Sequence, residues 1–147
     1  MMKKRMRRIY SFLIYNSNKR LFINILLLSG FLRMSILLLP MKILMKYMGT
    51  LDEESKQEET EEAYQQAYLI SHAVDRVCKK TPWESKCLVR ALAIQHFLKK
   101  KKISSTLYLG VGKDSDEMIA HAWLRTGKYF ISGGCGEGYA LVAKFSI

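Results

Sequence analysis

The sequence predicts an α+β fold, helices first and an antiparallel sheet after them. Two observations carry this. Apolar residues recur at helical spacing along 63–77 and again along 88–98. Past Ile103 the pattern changes to short alternating runs separated by turn residues. The chain of 147 residues, 49% hydrophobic and 25% charged, has the length of one domain with a real core.

The first helix reads from Ala63 through Ala67, Ile70, Val74 and Val77 to about Lys80, where Lys79-Lys80 and Thr81-Pro82 end it. His72 lies off that apolar line and reads as solvent-facing. A second helix starts within Thr81–Cys87. Either Thr81-Pro-Trp-Glu84 is a capping box with proline at the first position, or Ser85 caps a helix beginning at Lys86. It continues through Leu88, Ala91, Leu92, Gln95 and Leu98 into Lys99–Lys102, a basic last turn that complements the helix dipole rather than a nucleic-acid patch. The strands expected are Thr106–Val111, Met118–Arg125, Lys128–Ser132 and Tyr139–Ile147. Lys113–Glu117, Thr126-Gly127 and the glycine-rich Gly133–Gly138 connect them.

The charge of +11 is unevenly placed. Residues 1–50 hold ten Lys and Arg and no acid, whereas 51–62 hold seven acids and Lys56 alone. This divides the chain into a basic, Leu-rich helical segment, 1–49, and a domain, 50–147. Nucleic acid, a membrane surface or an acidic partner would each satisfy the arm on charge alone. Leu21–Leu39 approaches membrane-spanning length, but Asn24 and Arg33 interrupt it. An Arg at the bilayer centre costs about 2.5–3.5 kcal/mol even on the most lenient scale. A buried or partner-covered helix pair, broken near Ser29-Gly30 or at Pro40, fits better than a span. Neither does Met1–Arg8 followed by Ser17-Asn-Lys-Arg20 read as a signal peptide. Residues 50–62 read as a linker or first helical turns.

Three cysteines, 78, 87 and 135, form no C-x-x-C pair and lack zinc-site spacing, so a reducing compartment and no metal or cofactor are expected. Cys78 reads as packing on its helix, and Cys135 as an exposed loop thiol. Cys87 differs. A thiolate is stabilised at a helix start, where unpaired backbone N–H groups also face a developing oxyanion. His121 follows on a strand between Ala120 and Ala122, a setting that favours neutral imidazole. A Cys at a helix start with a His on a later strand is the papain-like order.

Glu84-Ser-Lys-Cys87-Leu-Val-Arg-Ala91-Leu, Thr106-Leu-Tyr-Leu-Gly110-Val and Ala120-His121-Ala-Trp123-Leu together resemble the transglutaminase-like cysteine peptidases of lasso-peptide biosynthesis, the microcin-processing B proteins of the stand-alone type. The resemblance covers Val74 to the C-terminus and extends to the Leu-rich segment ending near Gly49. It implies a papain-like or transglutaminase-like core with a helical N-terminal extension. It also implies an ATP-independent leader peptidase, with Cys87 as nucleophile and His121 as general base and acid. The partners implied are a precursor's leader peptide, a small leader-binding recognition protein and a separate lasso cyclase, in the cytoplasm. Residues 1–49 would dock a partner or contact the membrane surface, and no nucleic acid is expected. The family's third residue, usually an Asp on the strand after the His, is missing from Lys128–Ser132. Ser132, a backbone carbonyl or Glu84 is left to take that place, with Asp114, Asp116 and Glu117 read as solvated turn residues. Trp83 and Trp123 read as core or cleft-wall residues, and Tyr108 and Tyr139 as sheet residues.

Overall fold

The structure, a computed structural model, describes residues 18–147. The sequence reading of Met1–Arg8 lies outside them. Helix α1 spans Lys19–Leu38 and stops at Pro40, which cannot continue the ladder. The short α2, Met41–Met45, follows it. The expected break thus falls at Pro40, one of its two places, and not near Ser29-Gly30. There the Ser29 hydroxyl donates to the Leu26 carbonyl within the helix (2.8 Å), and Gly30 lies against the Trp83 ring.

Helix α3 is Glu61–Cys78. Thr60 caps it by accepting from the Ala63 N–H at 3.1 Å, with Glu61 and Glu62 in the first turn where the dipole favours them. Helix α4 is Cys87–Lys100. Strands β1 (Thr50–Leu51), β2 (Thr106–Asp114), β3 (Glu117–Thr126), β4 (Tyr129–Ser132) and β5 (Ala140–Ser146) form one antiparallel sheet among the described residues, in the order β1-β5-β2-β3-β4. The expected α+β class is the observed one.

One core joins the layers. Ile25 of α1, Ala67 and Val74 of α3, and Ala91, Ile94 and Leu98 of α4 pack with Leu107, Ala122, Leu124 and Phe145 of the sheet. The N-terminal helix is therefore built into the same core as the rest, through Phe22, Ile25 and, beyond α2, Met48.

Two features were not legible as elements. β1 is a two-residue strand closing the sheet edge beside β5, Thr50 opposite Ser146. Residues 52–59, expected as linker or helix, form a strap on the sheet instead. The buried Arg125 holds it: its guanidinium donates to Glu54 Oε2 (3.2 Å), to the Ser55 carbonyl (3.2 Å) and to the Gly127 carbonyl, and its Nε donates to the Tyr108 hydroxyl (2.9 Å). Ser55 is buried and bonds through both its N–H and its hydroxyl to Thr106 Oγ1, each at 2.8 Å. Two of the strap's acids, Glu54 and Glu59, are thus engaged by the fold.

Candidate active site

A cleft of about 1090 Å³ opens between α3, the start of α4 and the β3–β4 edge. Cys87 and His121 both line it, so the fold brings together the two residues singled out in the sequence.

Cys87 is the first residue of α4, with Lys86 at the cap position. The helix's hydrogen bonding begins with the Arg90 N–H to the Lys86 carbonyl, which leaves the Cys87 N–H without an intrahelical acceptor. Neither expected cap is used. Thr81 Oγ1 is bound up with the Cys78 and Trp83 carbonyls (3.0 Å each) and with Ser85 Oγ (2.9 Å), a loop lock in which neither hydroxyl caps the helix. Glu84 does not close a capping box either. Its carboxylate is held by Arg33 Nη2 of α1 and by Lys86 Nζ, each at 2.7 Å. The Lys86 hydrogen bond, with Arg33 adding to it, keeps the Glu84 carboxyl below its ordinary range.

Arg90, one turn on, steadies the loop from the other side. Its Nε donates to the Ser85 carbonyl (2.9 Å) and its Nη1 to Asp75 Oδ1 of α3 (2.8 Å). Trp83 fixes the loop to α1, its indole N–H donating to Ser29 Oγ at 3.2 Å. The segment before Cys87 is therefore tied to three helices.

His121 lies on β3 opposite Gly110 of β2, while β4 pairs only with Leu124–Thr126. Beside His121 that side of β3 is free of β4, and the cleft opens there. The glycine-rich loop after β4 holds the imidazole. The ring's Nε2 is 2.7 Å from the Gly133 carbonyl oxygen, which can only accept, so Nε2 carries the proton and Nδ1 is the free base atom. Tyr139, expected in the sheet, lies just before β5 and stacks on the same imidazole at 4.7 Å between centroids. The glycines are required here. A Cβ on Gly133, whose φ is +75°, would lie 2.3 Å from the Ala122 carbonyl, and one on Gly136 would lie 2.4 Å from the Trp123 ring.

The candidate third residues separate. Ser132 lines the cleft one position before the carbonyl that meets Nε2, and Glu84 is engaged as described. Asp114, Asp116 and Glu117 are exposed around the β2–β3 turn, with Asp116 near Lys113. No hydrogen bond joins the thiol to the imidazole among the described contacts. Such pairs are often loose without substrate and tighten around it.

Of the other cysteines, Cys78 is buried, and burial pushes its thiol up. Cys135 is exposed. Trp123 is buried and stacked on Tyr108. Among the described residues no group of three or more His, Cys, Asp or Glu converges as a metal site.

Sequence reasoning missed the far wall. Tyr64, Tyr68, His72 and Asp75 of α3 line the cleft together with Tyr129, Phe130 and Ile131 of β4, and the Tyr64 and Tyr129 rings meet edge to face at 4.9 Å between centroids. His72 is exposed as expected, but it packs on Tyr68 at 4.3 Å and belongs to that wall. These positions alternate with the buried stripe of α3. The available signal was an aromatic stripe beside the apolar one.

The family model of the transglutaminase-like superfamily matches residues 35–144. The chain belongs to that superfamily, which includes cysteine peptidases and transglutaminases, so chemistry of the cysteine peptidase and acyltransferase type is the coarse functional class. No curated protein and no solved structure matches the chain.

Proposed function

We propose that this protein is a cysteine peptidase that removes the leader peptide from a ribosomally made lasso-peptide precursor, leaving the core's new amine for a separate cyclase. The observation that carries the reading is the shared cleft. A thiol on the first residue of a helix and an imidazole anchored through Nε2 line one open cleft of about 1090 Å³. The superfamily supports the chemistry, and the Cys87-Leu-Val-Arg-Ala and Ala-His121-Ala-Trp segments support the substrate class.

In this reading His121 Nδ1 takes the Cys87 proton as sulfur attacks the scissile carbonyl. The carbonyl oxygen becomes an oxyanion facing the Cys87 N–H. The C–N bond then breaks, the imidazolium protonates the departing amine, and the core leaves. Water, deprotonated by His121, hydrolyses the thioester and frees the leader's carboxylate and the thiol. A small recognition protein presents the leader, and no ATP or cofactor enters any step.

Mixing the protein with precursor and leader-binding partner, without ATP, and weighing the products tests this. Leader and core masses that vanish in Cys87→Ala support it. An intact precursor with partner binding confirmed would favour a non-catalytic binding module, a reading encouraged by the carbonyl, rather than carboxylate, on His121. Masses showing the leader joined to an added amine would favour acyl transfer.

A further inference from the structure

Helix α1 has two apolar faces, and only one of them is used. Phe22, Ile25 and Ser29 face the core, and Arg33 turns the same way to reach Glu84. On the other side Ile23, Leu27, Phe31, Met34 and Leu38 recur at three- and four-residue spacing as one exposed face. Leu27, Phe31 and Leu38 are 67%, 69% and 71% exposed. Past Pro40 the face continues through Met41 and Ile43 of α2. Large side chains so placed over several turns exceed the scattered exposure ordinary for a soluble surface.

The charges carried by the chain along this face have one sign. Lys19 and Arg20 stand at one end, Lys42 and Lys46 at the other, and no acid occurs in residues 1–51. Because Arg33 is neutralised on the inner side by Glu84, the outer face between Arg20 and Lys42 presents no charge.

We infer that this face docks in the plane of an anionic lipid surface, with the four cations meeting headgroups and the apolar side chains entering the acyl boundary. By length and composition α1 is able to cross a membrane. Crossing, however, would strip Phe22 and Ile25 from the core, Ser29 from Trp83 and Arg33 from Glu84. Lying flat keeps all four contacts. A second copy of the chain is disfavoured by charge, since it would set two basic rims against each other.

Sedimentation of the full chain with vesicles tests this directly. Strong binding is expected to equimolar phosphatidylcholine and phosphatidylglycerol, weakening as salt rises, with little to phosphatidylcholine alone. Phe31→Glu with Leu38→Glu, both at exposed positions, should abolish it. Lys42→Ala or Lys46→Ala should each weaken it about fivefold, the expected effect of one cation near an anionic surface. Alkaline carbonate should release the bound protein. No binding by a folded wild-type chain would overturn the inference, as would resistance to carbonate, or a salt-insensitive dimer lost in Phe31→Glu without vesicle binding. None of these readouts uses a precursor, so the leader-peptidase reading stands or falls separately.

Discussion

The Nε2 proton of His121 is held by the main chain of Gly133, at 2.7 Å, where a carboxylate would be expected in a Cys–His site. A carbonyl fixes the ring's tautomer and direction but brings no full negative charge to an imidazolium. Orientation then depends on the path of the loop more than on any side chain. Gly133→Ala should therefore lower turnover on the order of a hundredfold, the scale of a misplaced catalytic group, because its Cβ would collide with the Ala122 carbonyl. Ser132→Ala should cost far less than His121→Ala. Product masses over time measure all three, and equal losses in Ser132→Ala and His121→Ala would hand the orienting role to the hydroxyl.

The three thiols should differ in reactivity. Cys78 is buried and its thiol pushed up, whereas Cys87 stands at a helix start in an open cleft. Iodoacetamide should label Cys87 well before Cys78, with Cys135 also accessible, as mapped by peptide mass. Cys87→Ala and His121→Ala should each remove leader cleavage by a thousandfold or more, on the order expected when a member of such a pair is lost. Equal slow labelling of Cys78 and Cys87 would remove the thiolate account.

Acid should loosen the strap. Glu59 is almost enclosed; burial opposes its charge, but hydrogen bonds from Ser104 (2.6 Å) and Lys56 leave its carboxyl below 4.5. Glu54 is lowered as well, chiefly by the Lys144 hydrogen bond. As pH falls the unfolded chain takes these protons first. Their contribution is therefore full above about 4.5 and is lost as pH drops through the folded values. Urea midpoints should decline over that range, and Glu59→Gln should flatten the decline.

Removing the guanidinium that gathers the strap should be severe. Arg125→Met leaves the Ser55 and Gly127 carbonyls and Glu54 without their buried donor. A loss of about 3–5 kcal/mol is expected by urea unfolding, as for other broken buried charge networks. A change below about 1 kcal/mol, the scale of an exposed ion pair, would mean that the strap is held by Ser55 and Thr106 instead.

The helices and the four longer strands were readable because each has one clean period. α3 buries Ala63, Ala67, Ile70, Val74 and Val77 as its spacing demanded, and β2 and β3 meet at a turn of Ser115 and Asp116. Cys87 and His121 were readable through residue type and element, a thiol at a helix start and an imidazole on a strand. What failed rests on contacts distant in sequence. Thr81 and Ser85 look like caps until they are seen bonded to each other, and Glu84 looks like a capping acid until Arg33 arrives from 51 residues earlier. The strap is polar throughout, and partners on remote strands and loops, Arg125, Thr106 and Ser104 among them, give it a fixed course. The Gly133 carbonyl carries no side-chain signal at all.

The seating of Trp83 has a practical consequence. Its indole lies against Gly30 and donates to Ser29 Oγ, so it senses whether α1 is in place. The only other tryptophan, Trp123, is buried under the glycine-rich loop. A Trp123→Phe protein would thus carry a single tryptophan, excited apart from the tyrosines at the red edge of their absorption, at the joint between the N-terminal helix and the Cys87 loop. Its emission would report, without any label, each event that lifts or presses that helix.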